Sequence, residues 1–335
     1  MASRGPATLG VATFFLLSLS GSSNTTLTQP EPNSTLVAPT VADQSFDAVA
    51  YVDEALSFIE ANALYLDEVD WASIRESVYT ATRDARSPEE THAALENALG
   101  MAGGRHSALV PAGTSGAYSY LPTPHAKDLP GGVVEVNVPG YRSPRADHVE
   151  EYAVSGAQEI ADHAGRASCG WIIDLRTNYG GNMWPMLAAL TPLLPDGTLM
   201  QFIDRDGNPS TANSDGNKVY FDDELTAMAS GVDYEDPNRP VAIIQADGTA
   251  SSAEAVILSF SARDGVRTFG TTSAGLVTGN VVKSLSDGTV LRVTRTNMAT
   301  NKGKMPLGPI VPDVIAGDDP IQEASSWLHS KCDDG

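Results

Sequence analysis

Two short segments that are almost entirely apolar restrict the fold of this chain more than any other feature. Residues 171–175 read WIIDL, and residues 241–245 read VAIIQ. Runs of this kind form strands that are covered on both faces, as in parallel sheets. Strand and helix patterns alternate around them, with further strands at residues 133–138 and 266–270 and helices at residues 149–163, 183–194 and 252–262. The alternation predicts an α/β fold with a largely parallel sheet.

The chain before this pattern is helical. Val49, Val52, Leu56 and Ile59 recur at spacings of three and four, which is the period of one helix face, and two more helices are expected before residue 100. We therefore predict a small N-terminal helical domain over residues 44–104 and an α/β core over residues 105–335.

Two other parts of the core are less regular in sequence. Residues 201–232 are polar, and we expect an irregular excursion near the functional site there. Residues 281–293 predict a hairpin that turns at Asp287 and Gly288, because an Asp-Gly pair between apolar runs favours a tight turn.

Charge excludes two classes of partner. The 335 residues include 42 acidic and 21 basic ones, for a net charge of −21. This balance repels nucleic acids and anionic lipid surfaces. Residues 204–208 begin like a calcium loop but lack its spacing and its closing Glu, and two cysteines are too few for a metal site. We therefore expect no nucleic-acid partner, no metal and no cofactor.

The N-terminus predicts export. Arg4 precedes a mostly apolar run at residues 9–19, which small residues follow, as in a signal peptide. We assign residues 1–21 to the signal and residues 22–43 to a disordered linker, and we expect a periplasmic, extracellular or outward-facing membrane-anchored protein. An uncleaved signal would be its membrane attachment. Export would permit a disulfide between the two cysteines, Cys169 and Cys332, but Cys169 could equally be a buried thiol.

A small-residue segment at residues 248–256, GTASSAEAV, lies where the second apolar strand turns into a helix. Its Ser-Ser-Ala-Glu stretch fits a helix capping box, which is the purely structural interpretation. The functional interpretation is that a serine at this corner is a nucleophile, because the free N–H groups of a helix start can bind the anion formed by its attack. Such a serine also needs a base.

Two further stretches supply groups for such chemistry. Residues 174–182, DLRTNYGGN, leave the first apolar strand. Ligands of α/β sheets bind at this end of the strands, and paired glycines there expose backbone N–H groups. We interpret Asp174 and Arg176 as a structural ion pair. In GGRHS, residues 103–107, His106 lies at the seam between the helical domain and the core.

The three stretches together, in this order and spacing, resemble the C-terminal processing peptidases, also called tail-specific proteases. The resemblance implies a crotonase-like α/β spiral core. It places the nucleophile at Ser251 and the oxyanion donors at the backbone N–H groups of Gly181 and Ser252. Many members use a lysine as the base, but that position is Leu276 here.

A histidine-dependent branch, similar to nisin-resistance and tricorn-core peptidases, resembles this sequence more closely. In that branch the base falls on His106. The stretch between Ser107 and Val133 is too short for the PDZ domain of many relatives, so we expect none.

The resemblance implies an exported serine endopeptidase acting on peptide or protein substrates. Two alternatives stay open. One is a catalytically inactive protein that binds a peptide or another ligand on the same scaffold, and the other is an esterase with the same serine chemistry.

Overall fold

The protein is described by a computed structural model that covers residues 46–113, 122–236 and 238–332. The predicted signal and linker lie outside these residues. The described chain begins with three helices, α1 (Ala48–Asn62), α2 (Trp71–Thr82) and α3 (Glu89–Gly103). Asp47 and Asp70 cap the first two by accepting the backbone N–H three residues further on.

A six-stranded sheet forms the centre of the core. Its order is β13-β10-β9-β4-β3-β2, and all neighbours are parallel except the edge strand β2, which is antiparallel to β3. Every residue of β4 and β9 is buried, which confirms the two strands from which the sequence analysis began. The strands are β2 (His125–Leu129), β3 (Val133–Asn137), β4 (Gly170–Asp174), β9 (Val241–Gln245), β10 (Val266–Gly270) and β13 (Val314–Ile315).

Helices cover both faces of this sheet. On one face α4 (Asp147–His163), α5 (Met183–Leu190) and α6 (Ser252–Phe260) share a core with Trp171 and Ile173. Short 3-10 turns follow α4 and α5, at Ala164–Arg166 and Thr191–Leu193, and another, Leu66–Glu68, precedes α2.

On the opposite face α7 (Pro320–Cys332) packs against Ile172 and Ile244. A disulfide joins Cys169 to Cys332 at the end of this helix. The question that the sequence left open, a bond or a buried thiol, is thus answered in favour of the bond.

A second, antiparallel sheet corrects the sequence analysis. Residues 201–232, expected to be irregular, form most of four successive strands, and the largely parallel sheet is only one of two. The second sheet has the order β1-β12-β5-β6-β7-β8, with β11 also paired to β12. Its strands are β1 (Ala108–Val110), β5 (Gly197–Asp204), β6 (Pro209–Asp215), β7 (Lys218–Phe221), β8 (Glu224–Met228), β11 (Thr278–Ser284) and β12 (Val290–Thr300).

Polar side chains on these strands form hydrogen bonds to neighbouring strands and turns. Thr198 donates its hydroxyl to Asn213 Oδ1 at 2.9 Å, and Asn213 Nδ2 donates to the Asp222 carbonyl oxygen at 3.0 Å. The 204–208 stretch is a tight turn closed by Asp204, whose carboxylate accepts two backbone N–H groups.

The N-terminal helices pack on the second sheet. Leu56 and Leu99, from α1 and α3, share a buried cluster with Leu109, Leu291 and Val293 from β1 and β12. The domain boundaries themselves stay a prediction. Within the described ranges, no helix combines the length and the apolar character needed to span a bilayer.

Candidate active site

Ser251 occupies a strained corner between β9 and α6. Its backbone angles are φ 54° and ψ −111°, and among the described residues only Asp222 is another non-glycine with positive φ. This conformation costs an L-residue about 1–3 kcal/mol, and such strain tends to occur at functional sites. The Ser251 N–H donates to Glu254 Oε2 at 2.7 Å, as the capping-box interpretation requires.

The glycine loop after β4 lies directly against this corner. A Cβ atom on Gly180 would lie 2.9 Å from Ser251 Cβ, and one on Gly181 would lie 1.8 Å from the Tyr141 carbonyl oxygen. Both glycines also have positive φ, at 87° and 134°. Only glycine therefore fits at either position, and the predicted proximity of this loop to the serine is present in the structure.

Two backbone N–H groups at the corner find no acceptor in the described structure. Neither Gly181 N–H nor Ser252 N–H donates a hydrogen bond to any group within the described ranges. The Ser252 hydroxyl donates to the Gly181 carbonyl oxygen, which holds the two peptide units side by side. Unpaired N–H groups of this kind can bind a developing oxyanion.

The same contacts distinguish the two serines. Ser252 is only 4% exposed, and its hydroxyl is already bonded to Gly181. Ser251 is half-buried at the turn, where a ligand can approach it. The geometry therefore favours Ser251 over Ser252 as the reactive hydroxyl.

Asp174 and Arg176 form the structural ion pair that was predicted. Arg176 Nη2 lies 2.7 Å from Asp174 Oδ2, and Arg176 Nε lies 2.9 Å from Oδ1. Asn178, which sequence reasoning did not single out, fixes the glycine loop. Its Nδ2 donates to the Val138 carbonyl oxygen at 3.0 Å, and its Oδ1 accepts the Gly180 N–H at 2.9 Å.

His106 lies in the turn between α3 and β1 and is 8% exposed. Its Nδ1 lies 2.7 Å from Thr278 Oγ1, and its Nε2 lies 3.1 Å from Asn280 Nδ2. Because an amide nitrogen only donates, Nε2 accepts in this arrangement and Nδ1 carries the hydrogen. In the described part of the chain, no hydrogen bond joins His106 to Ser251.

Burial, followed by the positive charges of Arg292 and Arg105, lowers the pKa of His106 from 6.5 to about 4. Arg292 Nε donates to the His106 carbonyl oxygen at 3.1 Å. The imidazole is therefore neutral at pH 7 and able to accept a proton.

Glu254 connects the serine corner to the segment that holds the histidine. Its side chain is completely buried. Besides the Ser251 N–H, the carboxylate accepts the Ser273 hydroxyl and the N–H groups of Gly275 and Leu276, the last two at 2.8 Å. Leu276, at the expected lysine position, thus contributes its N–H group. It lies two residues before Thr278, the partner of the His106 ring.

Arg105 attaches the histidine turn to the same segment. Its Nη2 donates to the carbonyl oxygens of Ala274 and Gly275 at 2.6 and 2.7 Å. Ser251 and His106 are therefore both held by residues 273–280, one through Glu254 and the other through Thr278, Asn280 and Arg105.

The chain is similar to known proteins in sequence and in fold. Peptidase family S41 matches residues 147–316, a segment that contains Gly181, Ser251 and Ser252. The nisin-resistance protein of Lactococcus lactis subsp. lactis is 26% identical over 283 residues, which are 84% of this chain and 87% of that protein.

Two solved structures have a similar fold. A lipoprotein from Streptococcus agalactiae superposes with a TM-score of 0.74 at 27% identity, over 90% of this chain and 100% of that one. The photosystem II D1 C-terminal processing protease superposes with a TM-score of 0.57 at 15% identity, over 86% of this chain and 98% of that one.

Proposed function

The chain belongs to peptidase family S41, whose members are serine peptidases, and we propose that it is an exported endopeptidase that cleaves peptide or protein substrates through an acyl-enzyme on Ser251. One observation carries the proposal: a strained serine lies beside two backbone N–H groups, those of Gly181 and Ser252, for which the described part of the chain offers no acceptor.

The proposed reaction is acyl transfer. The Ser251 oxygen forms a bond to the peptide carbonyl carbon while its proton passes to His106, and the N–H groups of Gly181 and Ser252 bind the resulting oxyanion. The C–N bond then breaks, and the proton on His106 passes to the leaving amine. Water releases the acyl group by the same route. Each oxyanion donor contributes about 3 kcal/mol.

His106 is the base in this proposal. Nδ1 contacts Thr278, so Nε2 would take the proton, with the Thr278 hydroxyl oxygen in the place that a carboxylate has in a Ser-His-Asp triad. The Asn280 amide occupies Nε2 in the structure. It must yield to the Ser251 hydroxyl when substrate binds.

A second candidate follows from that contact. If Asn280 keeps Nε2 occupied, Ser251 has no base, and the chain is a peptide-binding protein on a peptidase scaffold. The unpaired N–H groups beside Ser251 would then serve to bind a substrate carbonyl without cleaving it.

Export is supported by two observations. The Cys169–Cys332 disulfide is typical of oxidising compartments, and similar proteins include a lipoprotein and a nisin-resistance protein. We propose that the chain acts in the periplasm, outside the cell, or anchored to the outer side of a membrane.

Digestion of a peptide library by the mature protein, analysed by mass spectrometry, tests the activity. Ser251→Ala is the test variant. Ser326→Ala is its matched control, because Ser326 is exposed on α7 and its hydroxyl, within the described ranges, bonds only to Gln322 of the same helix. We expect the unmodified chain and Ser326→Ala to yield the same cleavage products and Ser251→Ala to yield none. Binding without cleavage by the unmodified chain would favour the peptide-binding protein.

A further inference from the structure

One exposed aromatic ring lies beside the candidate site. Tyr179 is 60% exposed, whereas every other Phe, Tyr and Trp within the described ranges is buried or half-buried. Tyrosine combines a large apolar surface with a low entropic cost of immobilisation, and it is enriched at surfaces that bind other proteins. An exposed ring next to a proposed nucleophile is therefore a candidate contact for the substrate.

The ring packs on the turn that leads to Ser251. A Cβ atom on Gly248 would lie 2.6 Å from Tyr179 Cε1 and 3.2 Å from its Cδ1. Gly248 has no positive φ, so this position requires glycine for the space that the ring occupies and not for its backbone conformation. Gly248 lies three residues before Ser251. Gly180, next to Tyr179 in the chain, also touches the serine corner, since a Cβ atom on it would lie 2.9 Å from Ser251 Cβ.

Hydrogen bonds fix the backbone on both sides of the ring. Before it, the Asn178 carbonyl oxygen accepts the Ala250 N–H at 3.2 Å. After it, the Gly180 N–H donates to Asn178 Oδ1 at 2.9 Å. The Tyr179 carbonyl oxygen itself accepts a hydrogen bond from Arg142 Nη2 at 3.0 Å. A ligand of the ring would therefore bind to a surface that is already ordered, which lowers the entropic cost of binding.

Charges near the ring favour a neutral ligand. Arg142 is exposed and brings a positive charge to the Tyr179 carbonyl oxygen. Asp247, also exposed, precedes Gly248 in the turn under the ring. A cation on the ring would be repelled by the first charge and an anion by the second. The Tyr179 hydroxyl has no hydrogen-bond partner among the described residues, so the apolar surface of the ring is its main binding feature.

We propose that Tyr179 determines specificity, because its ring binds an aromatic side chain of the peptide substrate near the cleaved bond. The inference rests on the proposed function and adds a substrate class to it: peptides with a Phe, Tyr or Trp close to that bond. Two rings gain from apolar burial. In offset or edge-to-face contact they also gain more than a ring and an aliphatic side chain of similar size.

Binding to the Ser251→Ala protein tests the contact independently of turnover. The probes are four unlabelled, acetylated and amidated peptides of one Gly-Ser host sequence, each with one central guest residue: Ala, Leu, Phe or Lys. Because the host is uniform, a peptide can shift along the site until its guest meets the ring, so the cleavage position need not be known. Isothermal titration calorimetry gives Kd without a dye that would supply another ring.

Three substitutions are compared in the Ser251→Ala background, with circular dichroism as the check on folding. Tyr179→Phe keeps the ring and removes the hydroxyl, and Tyr179→Leu keeps an apolar side chain without a ring. Tyr220→Leu is the matched control. Tyr220 is half-buried on β7 of the second sheet, and its hydroxyl also has no hydrogen-bond partner within the described ranges.

We expect the Phe peptide to bind about tenfold tighter than the Ala peptide and about threefold tighter than the Leu peptide. Both ratios should persist in Tyr179→Phe and Tyr220→Leu, and the preference for Phe over Leu should disappear in Tyr179→Leu. Equal affinity for the Phe and Leu peptides would overturn the proposal, as would a preference for Phe that survives Tyr179→Leu, or no measurable binding of the Phe peptide. A Lys peptide that binds tighter than the Phe peptide, and only while Tyr179 is present, would also overturn it.

Failure of the proposed function gives a different result. In that case the unmodified chain cleaves no peptide, while the calorimetry still reports whether the ring binds an aromatic side chain. Conversely, cleavage that depends on Ser251 but is equally fast for Phe and Leu peptides leaves the peptidase proposal intact and removes the role of Tyr179.

Discussion

Ser251 has a backbone conformation that an L-residue adopts only at a cost, and it lies beside two backbone N–H groups, of Gly181 and Ser252, that have no acceptor among the described residues. Glycine has no Cβ and adopts φ 54°, ψ −111° freely. A family of chains selected only for stability would place glycine here. A serine that is needed for attack is the exception expected of a functional site.

A matched pair of variants tests this strain. Ser251→Gly and Ser251→Ala both remove the hydroxyl, but only the glycine relieves the backbone. We expect Ser251→Gly to have a free energy of unfolding about 1–2 kcal/mol higher than Ser251→Ala, measured by urea unfolding. Both should be inactive on peptides. Equal stability of the two variants would show that the corner is not strained.

The low pKa of His106 leads to a prediction about how activity depends on pH. In the proposed reaction His106 acts as the base only when it is neutral, which holds above its pKa of about 4. We therefore expect kcat/KM on a neutral, amidated peptide to stay constant from pH 7 down to about pH 5 and to fall as the pH drops through about 4.

Arg292→Gln should move that acid limb to higher pH, because the pKa of His106 rises when a nearby positive charge is removed. Circular dichroism at each pH controls for unfolding. Loss of activity already near pH 6.5, the ordinary histidine value, would contradict the buried, cation-flanked environment of His106.

At the scale of elements, the start of α6 and the segment that leads into β11 are joined by one buried carboxylate. Glu254 accepts four donors, of which three belong to residues 273–276. Of these four bonds, only the one from the Ser251 N–H belongs to a capping box. Through the other three bonds, a residue predicted as part of a helix capping box also joins the serine corner to the segment that contacts the His106 ring.

Glu254→Gln tests this connection. The amide can accept only through one oxygen, and its NH₂ group faces buried donors. We expect a loss of about 3 kcal/mol or more in the free energy of unfolding and a fall in kcat. Glu323→Gln is the control, since the Glu323 carboxylate accepts only one N–H among the described residues, that of the exposed Gly317. Similar losses of stability in the two variants would show that the four bonds of Glu254 contribute no more than the single bond of Glu323.

Some strands of this fold can be predicted from the sequence and others cannot. β4 and β9 were predicted because a short run of apolar residues is typical of a strand that is buried on both faces. β6 was missed, because side chains such as Asn213 stabilise it through cross-strand bonds, and those partners are not adjacent in sequence. Strands that are held together by polar side chains are therefore hard to recognise from sequence alone.

Part of the candidate site could be predicted because it follows the buried strands. Ser251 and Gly181 follow buried strands, so their meeting at one edge of the sheet follows from the fold. Thr278 and Asn280 contact the His106 ring from 172 and 174 residues away. They lie just before the hairpin that the sequence predicted, and no local pattern marks them.

At the scale of the whole molecule, the disulfide attaches the C-terminal helix to the central sheet. Cys169 and Cys332 are 163 residues apart, and α7 covers the face of the sheet opposite α4, α5 and α6. The bond therefore closes a loop that contains the glycine loop and the serine corner.

Reduction of this bond should destabilise the molecule. Loop-closure arguments give a loss of about 2–5 kcal/mol, which thermal unfolding with and without dithiothreitol measures as a lower Tm. The double variant Cys169→Ser, Cys332→Ser should unfold at the lower temperature and not respond to the reductant. An unchanged Tm after complete reduction would contradict a stabilising role for the bond.

The most direct test of the account is the site of covalent labelling by a fluorophosphonate, located by mass spectrometry of the digested protein. We expect a single adduct on the peptide that contains Ser251, absent in Ser251→Ala, strongly slowed in His106→Ala and unaffected in Ser326→Ala. An adduct on another serine, or a folded chain that takes no label, would contradict the proposal that Ser251 is a nucleophile.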